Sequence, residues 1–330
     1  MLETMPSFFD IFPWQLIFLV IGACILRAYL KGAQFGGRES AKGKVAIVTG
    51  ANCGIGKQVV RELNYRGARV YMGCRSLEKG QNAIKELTAA GCSFDRLILY
   101  ELDLSSFESI RKFVKFVTEK ETDGIDILVN NAGVMLYPKF KLTEDGHELT
   151  WQTNYLGHFL LTELLLPTLK KAKDGARIVN VSAQAHYSVT DFNLETIDRR
   201  EGWDSRDSFS RSKLAMILHG VHLTNVLRRD GSGVIVNSCH PGFSFTRLIR
   251  HTPLTTNAIL RTLTSPLAWY FLKTPKDGAQ CILYCALAKD LQGVSGKYFS
   301  ECKAKEPSEL AKDTKLAQEL YEYSKGACGF

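Results

Sequence analysis

The stretch KVAIVTGANCGIG, residues 44–56, decides the fold of this chain. Residues 44–49 form a short apolar, β-branched run that predicts a strand, and a helix-like segment, residues 57–65, follows the glycines. The three glycines permit a tight turn and a close approach of the backbone to a pyrophosphate, whose charge the N-terminus of the helix also attracts. A second strand, residues 68–73, comes next. The stretch therefore predicts a βαβ unit that binds a dinucleotide.

Three further apolar runs continue this pattern at residues 97–104, 125–129 and 233–237. Such runs separated by helix-like segments predict parallel strands, and open sheets of this kind bind their ligand at the carboxyl ends of the strands. We predict an α/β, doubly wound Rossmann fold with a mainly parallel sheet. It forms a single domain, residues 41–330, behind an N-terminal membrane anchor.

Arg75 stands at the end of the second predicted strand. An NAD-selective site usually offers an acidic residue there to the ribose hydroxyls, and this chain has neither Asp nor Glu at that point. A guanidinium can instead pair with the 2′-phosphate through charge-assisted hydrogen bonds. We predict that NADP(H) is preferred over NAD(H), with a solvated surface arginine as the alternative.

Residues 1–40 form the predicted anchor and its basic flank. The segment IFPWQLIFLVIGACIL, residues 11–26, is almost wholly apolar, and with its neighbours it approaches the roughly 20 residues that a helix needs to cross a bilayer. Acidic residues precede the segment and basic residues follow it, so we expect an uncleaved anchor with the bulk of the chain on the cytosolic side. Pro13 and Gln15 keep open a helix or hairpin that lies in the membrane surface.

The composition restricts the class of protein. At 330 residues and 45% hydrophobic, with no linker-like stretch, the chain can bury one large core. The formal net charge is +8, but the basic residues are scattered, so we expect no nucleic-acid partner. Nine irregularly spaced cysteines predict reduced thiols. Cys281 and Cys285 lie one helical turn apart without a further ligand, so we predict no metal.

Four motifs occur in an order that is typical of one family. They are TGxxxGIG at residues 49–56, NNAG at residues 130–133, a lysine at 213, and PGxxxT at residues 241–246. With these motifs the chain resembles the short-chain dehydrogenase/reductase family over about residues 44–300. Four further segments resemble its retinol dehydrogenase branch: CRS at residues 74–76, NYLGHF at residues 154–159, DFNL at residues 191–194 and KTPKDGAQ at residues 273–280.

The resemblance implies an NAD(P)(H)-dependent oxidoreductase that acts on a lipophilic alcohol, aldehyde or ketone of the retinoid, steroid or isoprenoid type. It also implies a place at the endoplasmic reticulum or on lipid droplets, and it allows a homodimer. By position it assigns cofactor binding to Gly50, Asn52, Gly54, Ile55, Gly56, Arg75, Asp103, Leu104, Asn131, Ala132, Gly133, Lys213, Pro241, Gly242 and Thr246.

Only two of the four catalytic positions that the resemblance implies carry the residue that the family has there. Asn154 matches the family asparagine that organises a water, and Lys213 matches the lysine that binds the nicotinamide ribose and lowers the pKa of the acid. Ala183 and Phe209 stand where the family carries its catalytic serine and tyrosine. A phenyl ring has no proton to donate.

Two hypotheses of function follow. In the first, the chain is an oxidoreductase by descent with rearranged acid chemistry, in which Ser182 or Tyr187 supplies a substitute hydroxyl. In the second, it is a membrane-anchored, cofactor-binding pseudoenzyme that serves as a sensor or scaffold. We favour the first on descent, although the changes at 183 and 209 favour the second.

The segment from residue 248 to residue 272 is rich in large apolar side chains, with arginines between them. In the family this region forms the substrate lid, which implies a lipophilic ligand or contact with the membrane. An ordinary core helix is the alternative.

Overall fold

Seven parallel strands form the centre of the fold in this computed structural model, which describes residues 14–243 and 270–330. In chain order they are β1 (Val45–Thr49), β2 (Arg69–Cys74), β3 (Leu97–Glu101), β4 (Ile127–Asn130), β5 (Arg177–Val181), β6 (Ile235–His240) and β7 (Tyr298–Ser300). A short β8 (Lys303–Ala304) pairs antiparallel with β7. The sheet order is β3-β2-β1-β4-β5-β6-β7-β8, which confirms the predicted doubly wound Rossmann fold.

Helices cover both faces of this sheet. In chain order the helices are α1 (Trp14–Leu30), α2 (Gly54–Tyr65), α3 (Leu77–Ala89), α4 (Phe107–Lys120), α5 (Leu149–Trp151), α6 (Gly157–Leu169), α7 (Ser205–Arg229), α8 (Pro275–Leu287), α9 (Glu309–Lys312) and α10 (Thr314–Cys328). A π-helical turn, Gln152–Leu156, joins α5 to α6. Short 3-10 turns lie at Phe94–Arg96, Gln184–Ser188, Leu194–Thr196 and Lys289–Leu291.

The core has two layers, one on each face of the sheet. Side chains of α4, α6 and α7 form one layer, and side chains of α2, α3 and α8 form the other. Within β1, Ile47 belongs to the first layer while Ala46 and Val48 belong to the second, because successive side chains of a strand point to opposite faces. All five residues of β1 are buried, which explains why its sequence is a continuous apolar run.

The strand order reverses direction between β1 and β4. The connections that leave these two strands lead to helices on opposite faces, so a crevice opens at the carboxyl ends of the strands, where α/β proteins bind ligands. Thr49 ends β1 beside Gly73 of β2, and Asn130 ends β4. The turns that follow these residues form the candidate site.

Helix α1 lies at the surface and contacts the chain just after residue 269. The Tyr270 hydroxyl donates a hydrogen bond to the Ala23 carbonyl oxygen at 2.6 Å, and Arg27 Nη1 donates to the Leu272 carbonyl oxygen at 3.1 Å. Phe18 and Leu19 are 70% and 69% exposed. Within the two described ranges, no helix combines the length and the apolar character needed to cross a membrane.

Candidate active site

The turn after β1 and the start of α2 leave little room for side chains at Gly50 and Gly56. Gly50 has a φ of +65°, in the left-handed region that favours glycine. A Cβ on Gly56 would lie 2.4 Å from the Gly50 carbonyl oxygen and 2.6 Å from Asn131 Nδ2. The first turn of α2 therefore packs directly against the turn after β1, and its N-terminus opens onto the crevice.

The hydroxyl of Thr49 joins the turn after β1 to the turn after β4. Thr49 Oγ1 accepts hydrogen bonds from the Asn131 and Ala132 backbone N–H groups, each at 2.9 Å. Asn131 Nδ2 returns a bond to the Thr49 carbonyl oxygen at 2.9 Å. These bonds place the Asn131–Gly133 segment against the glycine turn.

His158, which is fully buried at the start of α6, extends this network. Its Nδ1 lies 2.9 Å from the Asn154 carbonyl oxygen, which can only accept, so Nδ1 carries the proton. Nε2 is then an acceptor for the Thr49 hydroxyl at 2.9 Å. Burial lowers the pKa of His158 to about 3, so the ring stays neutral and keeps this tautomer at physiological pH.

The π-helical turn positions Asn154. Its side-chain oxygen accepts from the Val134 N–H at 2.8 Å, and its Nδ2 donates to the Val134 carbonyl oxygen at 2.9 Å and to Ser212 Oγ at 3.0 Å. The Ser212 hydroxyl in turn donates to the Phe209 carbonyl oxygen at 2.7 Å. Asn154 thus connects the segment after β4 to α7. Single π-helical turns of this kind are frequent at functional sites.

Lys213 projects from α7 towards the same segment. Its Nζ donates to the Val181 carbonyl oxygen at 3.0 Å and lies 5.8 Å from the centroid of the Phe209 ring. A Cβ on Gly133 would lie 3.6 Å from this Nζ. Burial lowers the pKa of Lys213 to about 8, because the low-dielectric interior penalises the ammonium form.

A cavity of about 310 Å³ lies at the carboxyl ends of the strands. Its lining includes seventeen of the residues that the sequence singled out: Gly50, Asn52, Gly54, Ile55, Gly56, Arg75, Asp103, Leu104, Asn131, Ala132, Gly133, Ser182, Ala183, Phe209, Lys213, Pro241 and Gly242. Asn154 lies behind the wall and supports it through Val134. Thr246 and residues 248–269 of the expected lid lie outside the described residues.

The two candidate substitutes for the family's hydroxyls are already bonded. The Ser182 hydroxyl donates to the Lys213 carbonyl oxygen at 2.7 Å, inside the protein. The Tyr187 hydroxyl donates to the Glu306 carbonyl oxygen, and Tyr187 is not among the described residues that line the cavity. Neither geometry presents a hydroxyl proton to the cavity.

Arg75 and Asp103 lie on the side of the cavity formed by β2 and β3. Arg75 directly follows β2 and is exposed, and no carboxylate in the described parts of the chain pairs with it. Asp103 Oδ1 accepts from the Ser105 N–H at 2.9 Å and from the Ser105 hydroxyl at 2.6 Å. Arg75 is therefore a cationic group available to an anionic ligand.

Further wall residues stood outside the predictions from the sequence. They are Val134, Met135, Thr153, His240 and Phe243. Burial lowers the pKa of His240 to about 4, so its ring is neutral at pH 7. The position of His240 directly before Pro241 and Gly242 was the one available signal, because a residue that ends a parallel strand faces the ligand edge of the sheet.

The fold and the glycine-lined cavity together define a nucleotide-dependent oxidoreductase scaffold that binds NAD(P). The chain belongs to the short chain dehydrogenase family, which it matches over residues 44–255. It is 40% identical to retinol dehydrogenase 13 of Mus musculus over 314 residues, covering 94% of this chain and 92% of that protein. It is also 40% identical to retinol dehydrogenase 12 of Homo sapiens over 324 residues, covering 98% and 96%.

Solved structures agree with this assignment. A protein from Mycobacterium paratuberculosis is similar with a TM-score of 0.72 and 32% identity, covering 90% of this chain and 98% of that one. The NADP complex of RhlG from Pseudomonas aeruginosa has a TM-score of 0.61 at 22% identity, covering 84% of this chain and 98% of that one, which supports the fold alone.

Proposed function

We propose that this chain is an NADP(H)-dependent oxidoreductase of a lipophilic alcohol, aldehyde or ketone, in which Lys213 is the acid. The single observation that carries the proposal is the shared cavity, where the glycine turn after β1, the Asn131–Gly133 segment and the Lys213 ammonium line one space. Such a cavity brings a nucleotide-binding surface and an acidic proton together.

The cofactor fits the residues present. The space next to Gly56 would be filled by any Cβ, so the backbone there can approach a pyrophosphate closely. Arg75 would bind the 2′-phosphate of NADP(H), and Asp103 with Leu104 would contact the adenosine end. When bound, NADP(H) supplies or accepts the hydride.

The proton is the part of the reaction that this chain must supply differently. Phe209 and Ala183 line the cavity but carry no acidic proton. The hydroxyls of Ser182 and Tyr187 donate to backbone carbonyl oxygens. Lys213 is a buried ammonium whose pKa of about 8 lies close to the working pH, which is the condition for a useful general acid. Because the family's tyrosine and serine are replaced, we expect slow turnover, about 10² to 10⁴ below a site with a dedicated acid.

The wall around Phe209 favours an apolar substrate. Val134, Met135 and Phe243 line the same cavity, and Phe243 is 68% exposed at its edge. The relatives named retinol dehydrogenase are consistent with a retinoid, steroid or isoprenoid alcohol or carbonyl.

Helix α1 supports a membrane location for this substrate chemistry. Its sequence is mostly apolar, and most of its described side chains are exposed, while Ile17, Ala23, Arg27 and Leu30 are half-buried. A helix that is apolar on all sides needs an apolar surrounding. We therefore place residues 1–40 as an anchor and its basic flank, with α1 at the membrane of the endoplasmic reticulum or a lipid droplet, and residues 41–330 as the dehydrogenase domain facing the cytosol.

A pseudoenzyme that binds NADPH as a sensor or scaffold is the second candidate. The observation that favours it is that the side chains of Ala183 and Phe209 present only carbon atoms to the cavity. In that case the cofactor would bind without turnover.

Turnover of the full-length protein separates the two candidates. NADPH oxidation is measured with retinoid, steroid and isoprenoid aldehydes, alongside NADPH binding by fluorescence. We expect slow turnover that Lys213→Gln abolishes, with Lys315→Gln on the surface of α10 as the control. Tight NADPH binding with no turnover on any substrate would establish the pseudoenzyme instead.

A further inference from the structure

Three cysteine side chains from two elements meet inside the protein, directly behind the cavity wall. Cys239 lies in β6, and Cys281 and Cys285 lie one turn apart on α8. The three Sγ atoms all lie within 4.8 Å of one another. All three residues are at most 5% exposed. The sequence showed only the pair on α8, because Cys239 is brought to it by the packing of α8 against β6.

A fourth cysteine adjoins this cluster from the turn between β7 and β8. Cys302 is half-buried and packs against the core layer that contains the three cysteines. Glu301 and Cys302 have φ values of +52° and +53°, which residues other than glycine rarely adopt. This turn places Cys302 beside the layer that contains the three cysteines.

We propose that Cys239, Cys281 and Cys285 bind one Zn²⁺, with Cys302 as the fourth ligand. Zn–S bonds are about 2.3 Å long, so sulfurs around one tetrahedral zinc stand about 3.8 Å apart. The Sγ atoms of Cys239, Cys281 and Cys285, all within 4.8 Å of one another, need only small side-chain shifts to reach that spacing. Four thiolates in a closed, buried arrangement are the donor set of structural zinc sites.

Zinc binds thiolates rather than thiols. The ion therefore displaces the protons of the thiols that it binds, so binding releases protons and strengthens with rising pH. Cys302, being half-buried at a surface turn, provides the path by which the ion enters.

The zinc would stabilise the wall of the nucleotide cavity. The Ser182 N–H donates to the Cys239 carbonyl oxygen at 2.8 Å, and His240, the next residue, lines the cavity. Glu301, next to Cys302, accepts from the Ala33 N–H at 2.8 Å and forms an ion pair with Lys273. One ion would therefore tie β6, α8 and the turn between β7 and β8 into one unit behind the site.

The test uses the full-length protein, treated with a chelator under reducing conditions and then loaded with Zn²⁺. Zinc per chain is measured by elemental mass spectrometry, and affinity by competition with a chromophoric chelator. We expect one zinc per chain. Cys281→Ser and Cys285→Ser should weaken binding at least about 100-fold, since removing even an outer-shell partner of a metal typically costs about 10- to 100-fold.

Cys92→Ser is the matched control, because Cys92 is as buried as the cluster but lies between α3 and β3. It should bind zinc as the unaltered protein does. Cd²⁺ loading of the unaltered protein gives a second readout that does not depend on any variant folding, since cadmium–thiolate charge-transfer absorption counts the sulfurs bound. Absence of zinc and of this absorption, equal affinity in Cys281→Ser, or a disulfide within the cluster in reduced protein would overturn the proposal.

Discussion

Phe209 and Ala183 present only carbon to the cavity, while Lys213 presents an ammonium. Whether the chain catalyses depends on these few atoms, because the surrounding backbone is that of a nucleotide-binding enzyme. We propose that a single residue also sets the cofactor preference, since Arg75 is an exposed cationic side chain on the cavity wall beside β2.

Restoring the two hydroxyls should raise the rate. The double change Ala183→Ser with Phe209→Tyr places a proton donor one helical turn from Lys213, whose charge stabilises a phenolate. We expect at least about a 10²-fold gain in kcat/KM for carbonyl reduction, more than either single change gives, because such pairs act as a unit. Tyr187→Phe, outside the cavity, serves as the control and should change nothing. If the unaltered protein is already fast and the double change adds nothing, another group donates the proton.

The proposed acid sets a pH dependence. The protonated form of Lys213 is the donor, and its pKa is lowered to about 8, so carbonyl reduction by the unaltered protein should be constant below pH 7 and fall as pH rises through about 8. The measurement is kcat/KM against pH, which reports the free enzyme. A profile that instead falls on the acid side, or that persists in Lys213→Gln, contradicts this role.

Cofactor preference should depend on Arg75. A charge-assisted hydrogen bond to the 2′-phosphate is worth about 1.5 to 3 kcal/mol, so Arg75→Ala should weaken NADPH binding about 10- to 100-fold and leave NADH unchanged. Titration calorimetry with both cofactors measures this, with Arg206→Ala on the exposed side of α7 as the control. Equal affinity of the unaltered protein for NADPH and NADH would refute the preference.

At the level of elements, one hydroxyl connects β1, the turn after β4 and α6. Thr49 Oγ1 accepts from two backbone N–H groups and donates to His158, whose other nitrogen bonds the π-helical turn that positions Asn154. The glycine turn after β1 and the π-helical turn that contains Asn154 are therefore parts of one hydrogen-bonded unit rather than separate loops.

Thr49→Val keeps the shape of the side chain and removes this hydroxyl. It leaves the Ala132 N–H and His158 Nε2 without these partners, and each such group costs about 1 to 3 kcal/mol. We expect the free energy of unfolding to fall by about 2 to 5 kcal/mol in urea titrations, with weaker NADPH binding. Thr118→Val, whose hydroxyl bonds only to carbonyls of its own helix, should change stability by less than about 0.5 kcal/mol. Equal effects of the two changes would show that the network contributes nothing.

At the level of the whole molecule, the dehydrogenase domain and α1 differ in what surrounds them. The domain buries apolar side chains on both faces of its sheet, whereas Phe18, Leu19 and Ile25 of α1 are 65–70% exposed. That contrast is consistent with the proposed membrane attachment through α1.

Protease protection in microsomes tests this arrangement. The basic residues after residue 26 should keep the domain cytosolic, so a protease added to intact microsomes should degrade the chain from about residue 40 onward. A lumenal marker protein provides the control and should stay intact until detergent is added. Protection of the whole domain would place it in the lumen, and release by alkaline carbonate would indicate a helix lying on the surface.

Much of the fold could be predicted from the sequence because its signals are local. The apolar runs of β1 and β4, and the glycines between β1 and α2, report backbone requirements within a few residues. The order of such units then determines the parallel sheet, since a βαβ crossover has one preferred hand. Most cavity residues could be named for the same reason, because they follow directly after strands.

What the tertiary structure alone decided concerns groups far apart in the chain. Ser182 and Tyr187 looked available in sequence, but the carbonyl oxygens of Lys213 and Glu306 bond them. The lowered pKa of Lys213 arises from burial by several elements, which no local pattern encodes. Cys239 meets Cys281 and Cys285 only because α8 packs on β6. The sequence by itself determined the scaffold and its ligand edge, whereas the burial and bonding of each polar group depended on long-range packing.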